Sequence, residues 1–393
     1  MGDKTIQLRS GRLGRIMPGH PWIFKNQVRK TDAAIKPGEL VSIVDSGNKF
    51  IGVGYYNPRS EISVRILSFE KAGIDKEFFH HRIEAAYKKR EPLSGVTDAY
   101  RVIFSEADAL PGLIVDIYRD TAVFQVLTLG MEKFKPVIID GLMSILKPKH
   151  LYEKSESPFR KIEGLKDIKI WHGAPGDTVI EIREGRAKFL VDIENGHKTG
   201  FYLDQRKSRL GLEGLAKGKN ALDLFCYTGA FSVSAALYGA KSVRGVDIKG
   251  EWLSLAGKNA VLNGVSGNIE FIKEDAFKAL KEIHASGEKF DLVIVDPPSF
   301  LKTRGSLVSA SKGYKELNTL AMGALAEEGI LATFSCSHSM PNETFSTILK
   351  ESAAAAGKSF SILKRCHQAE DHPIVRAIPE TEYLKGYFLK MQR

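Results

Sequence analysis

The stretch that decides the fold runs from residue 221 to residue 231 and reads Ala-Leu-Asp-Leu-Phe-Cys-Tyr-Thr-Gly-Ala-Phe. It predicts an apolar strand ending in an acidic residue, Asp223, then a tight turn that Gly229 closes and a helix over 230–237. Because the turn contains a single glycine, it lacks the G-x-G-x-x-G spacing that lets a backbone approach a pyrophosphate. The stretch therefore favours a cofactor without phosphate groups.

Strands and helices alternate from this stretch to about residue 335, which predicts a parallel, doubly wound α/β sheet. In such a sheet the functional residues lie at the carboxyl ends of the strands. The further predicted strands cover 243–247, 269–272, 292–296 and 330–335, and the further predicted helices cover 251–263, 275–283 and 314–325.

Four aspartates accompany the ends of successive predicted strands: Asp223, Asp247, Asp275 and Asp296. Asp247 occupies the position that holds ribose hydroxyls in such folds, and Asp275 could accept a hydrogen bond from an adenine amino group. A lone aspartate in this setting is more often a helix cap. The repetition at four strand ends instead favours a binding site.

The first 75 residues differ from this pattern, since short β-rich runs at 39–44, 50–55 and 60–67 alternate with turn residues. Residues 1–75 carry 12 Lys and Arg against 7 Asp and Glu, which is half of the net charge of +10. Such clustering is typical of nucleic-acid binders, although a solvated basic face would look the same. A helix over 75–91 and mixed strands follow, so we predict domains at 1–75, 76–190 and 191–393.

Composition excludes several classes of protein. Hydrophobic residues make up 43% and charged residues 26% of the chain, which fits neither a disordered nor a fibrous protein. There is no apolar run of about 18 residues and no secretory signal at the amino terminus, so we expect a cytoplasmic protein without membrane attachment. Three scattered cysteines predict neither a disulfide framework nor a metal site.

A family resemblance follows from the motif order Asp-Leu-Phe-x-x-Thr-Gly, Asp247, Asp275 and Asp-Pro-Pro-Ser-Phe, with residues 198–206 upstream and Phe-Ser-Cys-Ser at 334–337. This order resembles the class I S-adenosylmethionine-dependent methyltransferases. Within them it is similar to RlmI, the ribosomal large-subunit RNA cytosine-C5 methyltransferases. The resemblance implies a small PUA-like β-barrel domain, a central α+β domain and a Rossmann-like catalytic domain.

The resemblance also implies residue roles around S-adenosylmethionine. The 223–229 turn would hold the methionine part, Asp247 the ribose and Asp275 the adenine edge, and residues 202–206 would close over the cofactor. The implied cofactor contacts are Asp223, Phe225, Tyr227, Thr228, Gly229, Asp247, Asp275, Asp296, Tyr202 and Gln205.

Cytosine methylation at carbon 5 requires a nucleophile, because that carbon is unreactive until a thiolate adds to carbon 6. Cys336 follows an apolar strand and matches the family motif, so we expect it to be the nucleophile. The alternative is that Cys336 is a buried cysteine that only packs in the core, as we expect for Cys226 and Cys366. Asp296 would bind the N3/N4 edge of the target base.

Two other functions remain open from the sequence. Tetrads similar to Asp-Pro-Pro-Phe also occur in methyltransferases that modify exocyclic amines of flipped bases without a covalent adduct, so a base N-methyltransferase is one alternative. A ribosome assembly factor without catalysis is the other. The cytosine reaction requires Cys336 as a nucleophile, whereas the N-methyltransferase reaction does not.

The expected partner is large-subunit ribosomal RNA, and the resemblance also allows a homodimer. The RNA-binding candidates are Arg9, Arg12, Arg15 and Lys25, which are basic residues of the first domain. Trp22, Phe24, Tyr55 and Tyr56 could stack on bases, but packing in the core is the commoner role for such side chains.

Overall fold

A computed structural model of the chain describes residues 4–11, 13–32, 35–300 and 307–392. The chain folds into two compact units. The first consists of Met1–Ile182, Val191–Leu203 and Glu370–Thr381, and the second of Arg183–Leu190, Asp204–Ala369 and Glu382–Arg393.

The first unit begins with a six-stranded sheet in the spatial order β2-β6-β5-β4-β1-β3. Its core consists of alternate apolar residues that point inward, among them Ile6, Ile23, Val41 and Val64, all fully buried. The three strands predicted here are confirmed to within two residues, whereas the three shorter strands were not predicted. The strands are β1 Thr5–Leu8, β2 Trp22–Phe24, β3 Val28–Thr31, β4 Leu40–Val44, β5 Phe50–Tyr56 and β6 Ile62–Ser68.

A second sheet of the same unit has the order β11-β10-β9-β8-β7, and helices α1 and α3 pack together beside it. Asp75 caps α1 by accepting from the amide of Phe78, and Gly141 of α3 lets the two helices approach, since a Cβ there would lie 2.7 Å from Ile83 Cδ1. The elements are α1 Lys76–Lys88, β7 Ala99–Phe104, β8 Leu113–Tyr118, β9 Thr121–Val126, α2 Leu129–Lys133, α3 Lys135–Ile145, β10 His150–Ser155, α4 Pro158–Glu163 and β11 Ile168–Trp171. A two-stranded sheet, β12 Val179–Glu184 and β13 Ala187–Asp192, follows in the chain.

The second unit contains a seven-stranded sheet in the order β16-β15-β14-β17-β18-β20-β19. Its first five strands are parallel, as predicted, and their interior residues are almost all apolar because helices flank such a sheet. The strands are β14 Asn220–Leu224, β15 Ser242–Asp247, β16 Ile269–Lys273, β17 Phe290–Val295, β18 Leu325–Ser335, β19 Phe360–His367 and β20 Lys385–Met391.

Two further strands of this sheet, β19 and β20, were not predicted. β20 pairs antiparallel with both β18 and β19. The last strand of the chain inserts between two earlier ones, and periodicity along the sequence carries no information about such an insertion. This reversal brings Lys385 beside Ser335.

Six helices accompany this sheet in the described part of the second unit, and four of them overlap predicted helices. α6 was predicted with its bounds, α9 begins earlier than predicted, and α5 and α10 were not predicted. They are α5 Arg206–Leu210, α6 Ala230–Leu237, α7 Gly250–Leu262, α8 Ala276–Ser286, α9 Leu307–Gly323 and α10 Asn342–Ala355. Across the described ranges, no helix has the length and apolar character needed to cross a bilayer.

Candidate active site

The turn between β14 and α6 has an unusual backbone. Phe225 and Tyr227 have φ angles of 62° and 51°, in the left-handed region that non-glycine residues rarely adopt. Gly229, with φ 75°, ends the turn, and a Cβ there would lie 2.9 Å from Phe271 Cζ and 3.0 Å from Ala256 Cβ. Strained backbone of this kind persists only where surrounding contacts hold it, and it is concentrated at binding sites.

Hydrogen bonds from neighbouring elements hold this turn in place. The amide of Cys226 donates to Val246 O at 3.0 Å, and the amide of Tyr227 donates to Asp247 Oδ2 at 3.0 Å. The side chain of Asn259, fully buried in α7, donates to Thr228 O at 2.9 Å. Asn259 is a positioning residue that the sequence analysis missed, because nothing in its helix distinguishes it from a surface polar residue.

Asp223 lies inside β14 rather than at its end and is almost completely buried. Ser232 Oγ donates to its Oδ2 at 2.6 Å, whereas its Oδ1 has no hydrogen-bond partner among the residues that the structure describes. Burial raises the pKa of this carboxyl to about 7, and the negative charges of Asp296 and Asp247 also raise it. A buried acceptor without a partner is costly, so its retention points to a ligand.

Asp247 and Asp275 have different surroundings. Asp247 ends β15, and its two carboxylate oxygens accept from the amides of Tyr227 and Lys249. Asp275 is exposed and caps α8 by accepting from the amides of Phe277 and Lys278 at 3.0 and 3.1 Å. The observed contacts of Asp275 are therefore those of a helix cap, and its adenine contact stays a prediction.

Asp296 and Cys336 follow the adjacent parallel strands β17 and β18, in which Val295 lies opposite Thr333, and the charges of both act on the hydroxyl of Tyr314 in α9. Burial raises the pKa of Tyr314, and the negative charges of Cys336 and Asp296 raise it further. Ser335 Oγ donates to that hydroxyl at 3.0 Å, which connects the end of β18 to α9. The carboxylate and the thiol therefore share one edge of the sheet, as the strand-end rule predicts.

Lys385 is the functional candidate that the sequence analysis missed. It lies opposite Ser335 in the register of β18 and β20, and only 7% of it is exposed. Burial lowers its pKa to about 8, although the negative charges of Cys336 and Glu382 act in the opposite direction. Nothing in the sequence connects Lys385 with Cys336, because the antiparallel insertion of β20 was not predicted.

Tyr202, Gln205 and His338 each have definite surroundings. Tyr202 belongs to the first unit, where its hydroxyl lies 3.0 Å from His197 Nδ1, and its cofactor role stays a prediction. Gln205 belongs to the second unit, is buried, and has an Oε1 without a hydrogen-bond partner in the described part of the chain. The exposed His338 stacks on Tyr383 with ring centroids 4.9 Å apart.

Three of the predicted RNA-binding residues lie in the connections between strands β1, β2 and β3, and each contacts a neighbouring residue. Arg9 Nε donates to Val28 O at 3.0 Å, Arg15 forms an ion pair with Glu380 at 2.5 Å, and Lys25 forms one with Glu61 at 3.2 Å. Exposed ion pairs of this kind are weak enough to exchange for phosphate contacts. Arg12 lies outside the described residues.

The aromatic candidates for base stacking are occupied in different ways. Tyr55 is buried in the core of the first unit and donates to Pro111 O at 2.7 Å, so it cannot stack on a base. Trp22 Nε1 donates to Glu106 at 2.8 Å, and its ring packs at an edge against Phe24 with centroids 6.4 Å apart. The packing role that we considered commoner is therefore confirmed for Tyr55.

Comparison with known proteins identifies the families of both domains. Residues 6–69 match the PUA-like domain family, and residues 166–384 match the family of S-adenosylmethionine-dependent methyltransferases. The crystal structure of SMU.776 in complex with SAH superposes with a TM-score of 0.86, covering 98% of this chain and 99% of that one. At 22% identity this similarity shows the fold. The chain is thus a class I methyltransferase that uses S-adenosylmethionine and carries a PUA-like domain.

Similarity to curated proteins identifies the family within this class of methyltransferases. Ribosomal RNA large subunit methyltransferase I of Tolumonas auensis is 41% identical over 98% of this chain and 99% of that protein. The protein of the same name from Alteromonas mediterranea is 40% identical over 93% of this chain and 94% of its own length. The chain belongs to the ribosomal RNA large subunit methyltransferase I family.

The residues of the β14–α6 region fit S-adenosylmethionine. Its methionine part carries an ammonium group and its ribose carries hydroxyls, all hydrogen-bond donors. The buried oxygens Asp223 Oδ1, Thr228 Oγ1 and Gln205 Oε1 have no partner among the described residues, and all three can accept. The carboxylate of Asp223 adds a charge opposite to that of the ammonium and sulfonium groups.

Proposed function

We propose that this protein methylates carbon 5 of a cytosine in large-subunit ribosomal RNA through a covalent adduct with Cys336. The observation that carries the proposal is that Asp296 and Cys336 follow the adjacent parallel strands β17 and β18, which pair at Val295 and Thr333, while β17 also pairs with β14, the strand before the strained turn. In the pairing of β14 with β17, Asp223 lies opposite Ile294, which places Asp296 close to the proposed cofactor contacts. The names of the relatives support ribosomal RNA as the substrate.

The chemistry follows from a thiol and a carboxyl beside one base. The Cys336 thiolate forms a bond to carbon 6, and the electron pair of the 5,6 double bond becomes available at carbon 5. S-adenosylmethionine, when bound, supplies the methyl group that carbon 5 receives. A base then removes the carbon-5 proton, the double bond forms again, and the bond between sulfur and carbon 6 breaks to return the thiolate. Asp296 holds the N3/N4 edge throughout.

The first domain and the basic residues would hold the RNA. The PUA-like match over 6–69 covers Arg9, Arg15 and Lys25, which belong to the first unit, whereas Asp296 and Cys336 belong to the second. Such a module recognises RNA by backbone and shape, which leaves the choice of base to the catalytic unit. The boundaries after residues 75 and 190, and a homodimer, remain predictions.

The test measures methyl transfer from labelled S-adenosylmethionine to unmodified large-subunit ribosomal RNA, with digestion to nucleosides to identify the product. We expect 5-methylcytidine from the wild type and a loss of at least about a thousandfold in Cys336→Ala, because the covalent route is closed. Cys366→Ala is the matched control, since Cys366 lies on β19 and should retain wild-type activity.

The other outcomes decide between the alternatives. Equal activity in Cys336→Ala would exclude the nucleophile and favour a base N-methyltransferase acting through Asp296-Pro297-Pro298, whose product would be an N-methylated base. No transfer by the wild type to either naked RNA or assembled subunits would favour a binding factor.

A further inference from the structure

The position of Lys385 beside the proposed nucleophile is the feature that the proposed chemistry leaves unused. Lys385 is the first residue of β20, which lies between β18 and β19 in the sheet. It is opposite Ser335 on one side and His367 on the other. Since Ser335 ends β18 and Cys336 follows it, the lysine lies at the same end of the sheet as the thiol.

The ammonium of Lys385 holds the backbone that follows Cys336. Its Nζ donates to Ser337 O at 2.6 Å and to Met340 O at 2.7 Å. These carbonyls lie at both ends of the short segment 337–340, so one side chain fixes the whole connection from the strand toward α10. Two of the three ammonium protons are used in these bonds, and the third is left for another acceptor.

A buried ammonium is costly unless a negative partner compensates it. In the described part of the chain, no carboxylate forms an ion pair with Lys385 within 4.0 Å, and its two acceptors are neutral carbonyls. Cys336 and Glu382 are the groups whose negative charge acts on it. Of these two, Cys336 adjoins the segment that the lysine holds.

We propose that Lys385 is the positioning residue of Cys336, fixing segment 337–340 and supplying the positive charge that favours the thiolate over the thiol. The inference rests on the proposed role of Cys336 as the nucleophile. A cation beside a cysteine lowers the thiol pKa, and it is the thiolate that adds to carbon 6.

Other charged and titratable groups face this pair from the neighbouring elements, and they act in both directions. Asp296 opposes the thiolate, and the hydroxyl of Tyr314 is neutral, because its pKa is raised by burial. The positive charge of Lys385 thus counteracts the effect of the neighbouring acids on the thiolate. The groups are Asp296 after β17, Tyr314 of α9, His338 after β18, His367 of β19 and Glu382 before β20.

The experiment measures the rate of iodoacetamide alkylation of Cys336 against pH in the full-length protein, with each cysteine peptide resolved by mass spectrometry. Lys385→Gln retains amide donors for the two carbonyls but removes the charge. We expect its Cys336 alkylation at pH 7.5 to slow about tenfold, which corresponds to a rise of about one unit in the thiol pKa. Lys385→Arg, which retains the charge, should recover most of the rate.

The controls separate charge from general damage. Lys390→Gln removes a more exposed lysine from the same strand and should leave the Cys336 profile unchanged. The Cys366 peptide reports any loosening of the sheet in each variant. A Cys336 profile that is the same in Lys385→Gln and the wild type would overturn the proposal.

A folding failure of Lys385→Gln would still leave a decisive measurement. In the wild type alone, the midpoint of Cys336 alkylation must lie below about 8.5, the pKa of an unperturbed cysteine. A midpoint at or above that value would overturn the proposal. Full methylation by Cys336→Ala would instead overturn the proposed function, and the alkylation result would be unaffected.

Discussion

The β14–α6 turn and the junction of β18 with β20 form two parts of one candidate site, but they are built over different distances in the chain. The turn places Asp223, Thr228 and Gly229 within seven consecutive residues. The junction joins Cys336 to Lys385, from a strand that inserts between two earlier ones. The residues of a local site are close together in the sequence and form a motif. The residues of a site assembled by strand insertion are far apart in the sequence and form no motif.

The two regions also differ in the hydrogen-bond partners of their buried ionisable groups. In the turn, the carboxyl of Asp223 is buried with one oxygen lacking a described partner, and the fold is destabilised by it until a ligand binds. At the junction, the buried ammonium of Lys385 has two carbonyl acceptors. We therefore expect removal of the Asp223 charge to raise stability and to abolish cofactor binding, and variants of the junction to alter the chemistry.

The largest effect on stability should come from Gly229→Ala. A methyl group there meets Phe271 Cζ at 2.9 Å, and the backbone has a φ of 75° that alanine adopts only with strain. We expect the free energy of unfolding to fall by about 3 kcal/mol, measured by urea denaturation, together with a loss of S-adenosylmethionine binding.

Gly257→Ala is the matched control for that measurement. Gly257 lies inside α7 with no atom within 4 Å of the added methyl group, so alanine should stabilise the helix by up to about 1 kcal/mol. Equal effects of the two substitutions would show that the turn is not under the constraint inferred here.

An intermediate effect, of opposite sign, should come from Asp223→Asn. The pKa of Asp223 is raised to about 7 in the fold, so its protonated form favours folding at low pH, and this contribution is lost as the pH rises from about 4 to about 7. The variant does not titrate. We expect it to be more stable than the wild type by about 2 kcal/mol at pH 7.5, with the difference shrinking toward pH 4, while cofactor binding is lost.

Thermal unfolding at several pH values, with calorimetric titration of S-adenosylmethionine, measures both parts of this prediction. Asp275→Asn is the control, because asparagine caps a helix as well as aspartate does and should leave stability nearly unchanged. A stability gain in Asp223→Asn that is the same at every pH would contradict the assignment of the gain to the buried carboxylate.

The smallest effect should come from Tyr314→Phe at the junction. The hydroxyl of Tyr314 accepts from Ser335 Oγ, and both side chains are fully buried. Its removal leaves one donor without this partner, so we expect a loss of about 1 kcal/mol in stability and a lower rate of methyl transfer with unchanged cofactor affinity.

Tyr387→Phe provides the comparison, since its hydroxyl bonds to Asn342 at a partly buried position. It should cost less stability and leave the transfer rate unchanged. If Tyr314→Phe weakened cofactor binding instead of the transfer rate, the separation of the two regions would fail.

Much of the fold could be predicted wherever an element carries its own signal. Helix α6 was predicted with its observed bounds, and strands β14 to β17 were predicted within two residues, because each is an apolar run bounded by turn residues. Strands β1 to β3 were missed since they contain only three or four residues each. β20 was missed because its pairing depends on strands far away in the sequence.

The sequence by itself determined the class of fold, the turn at Gly229 and the residue types of the proposed chemistry, because these depend on neighbours within a few positions. Only the tertiary structure decided the contacts of two individual residues. It placed Asp275 at a helix cap and set Lys385 beside the segment after Cys336. The physical reason is that hydrogen bonding and burial, unlike periodicity, are set by contacts between residues distant in the chain.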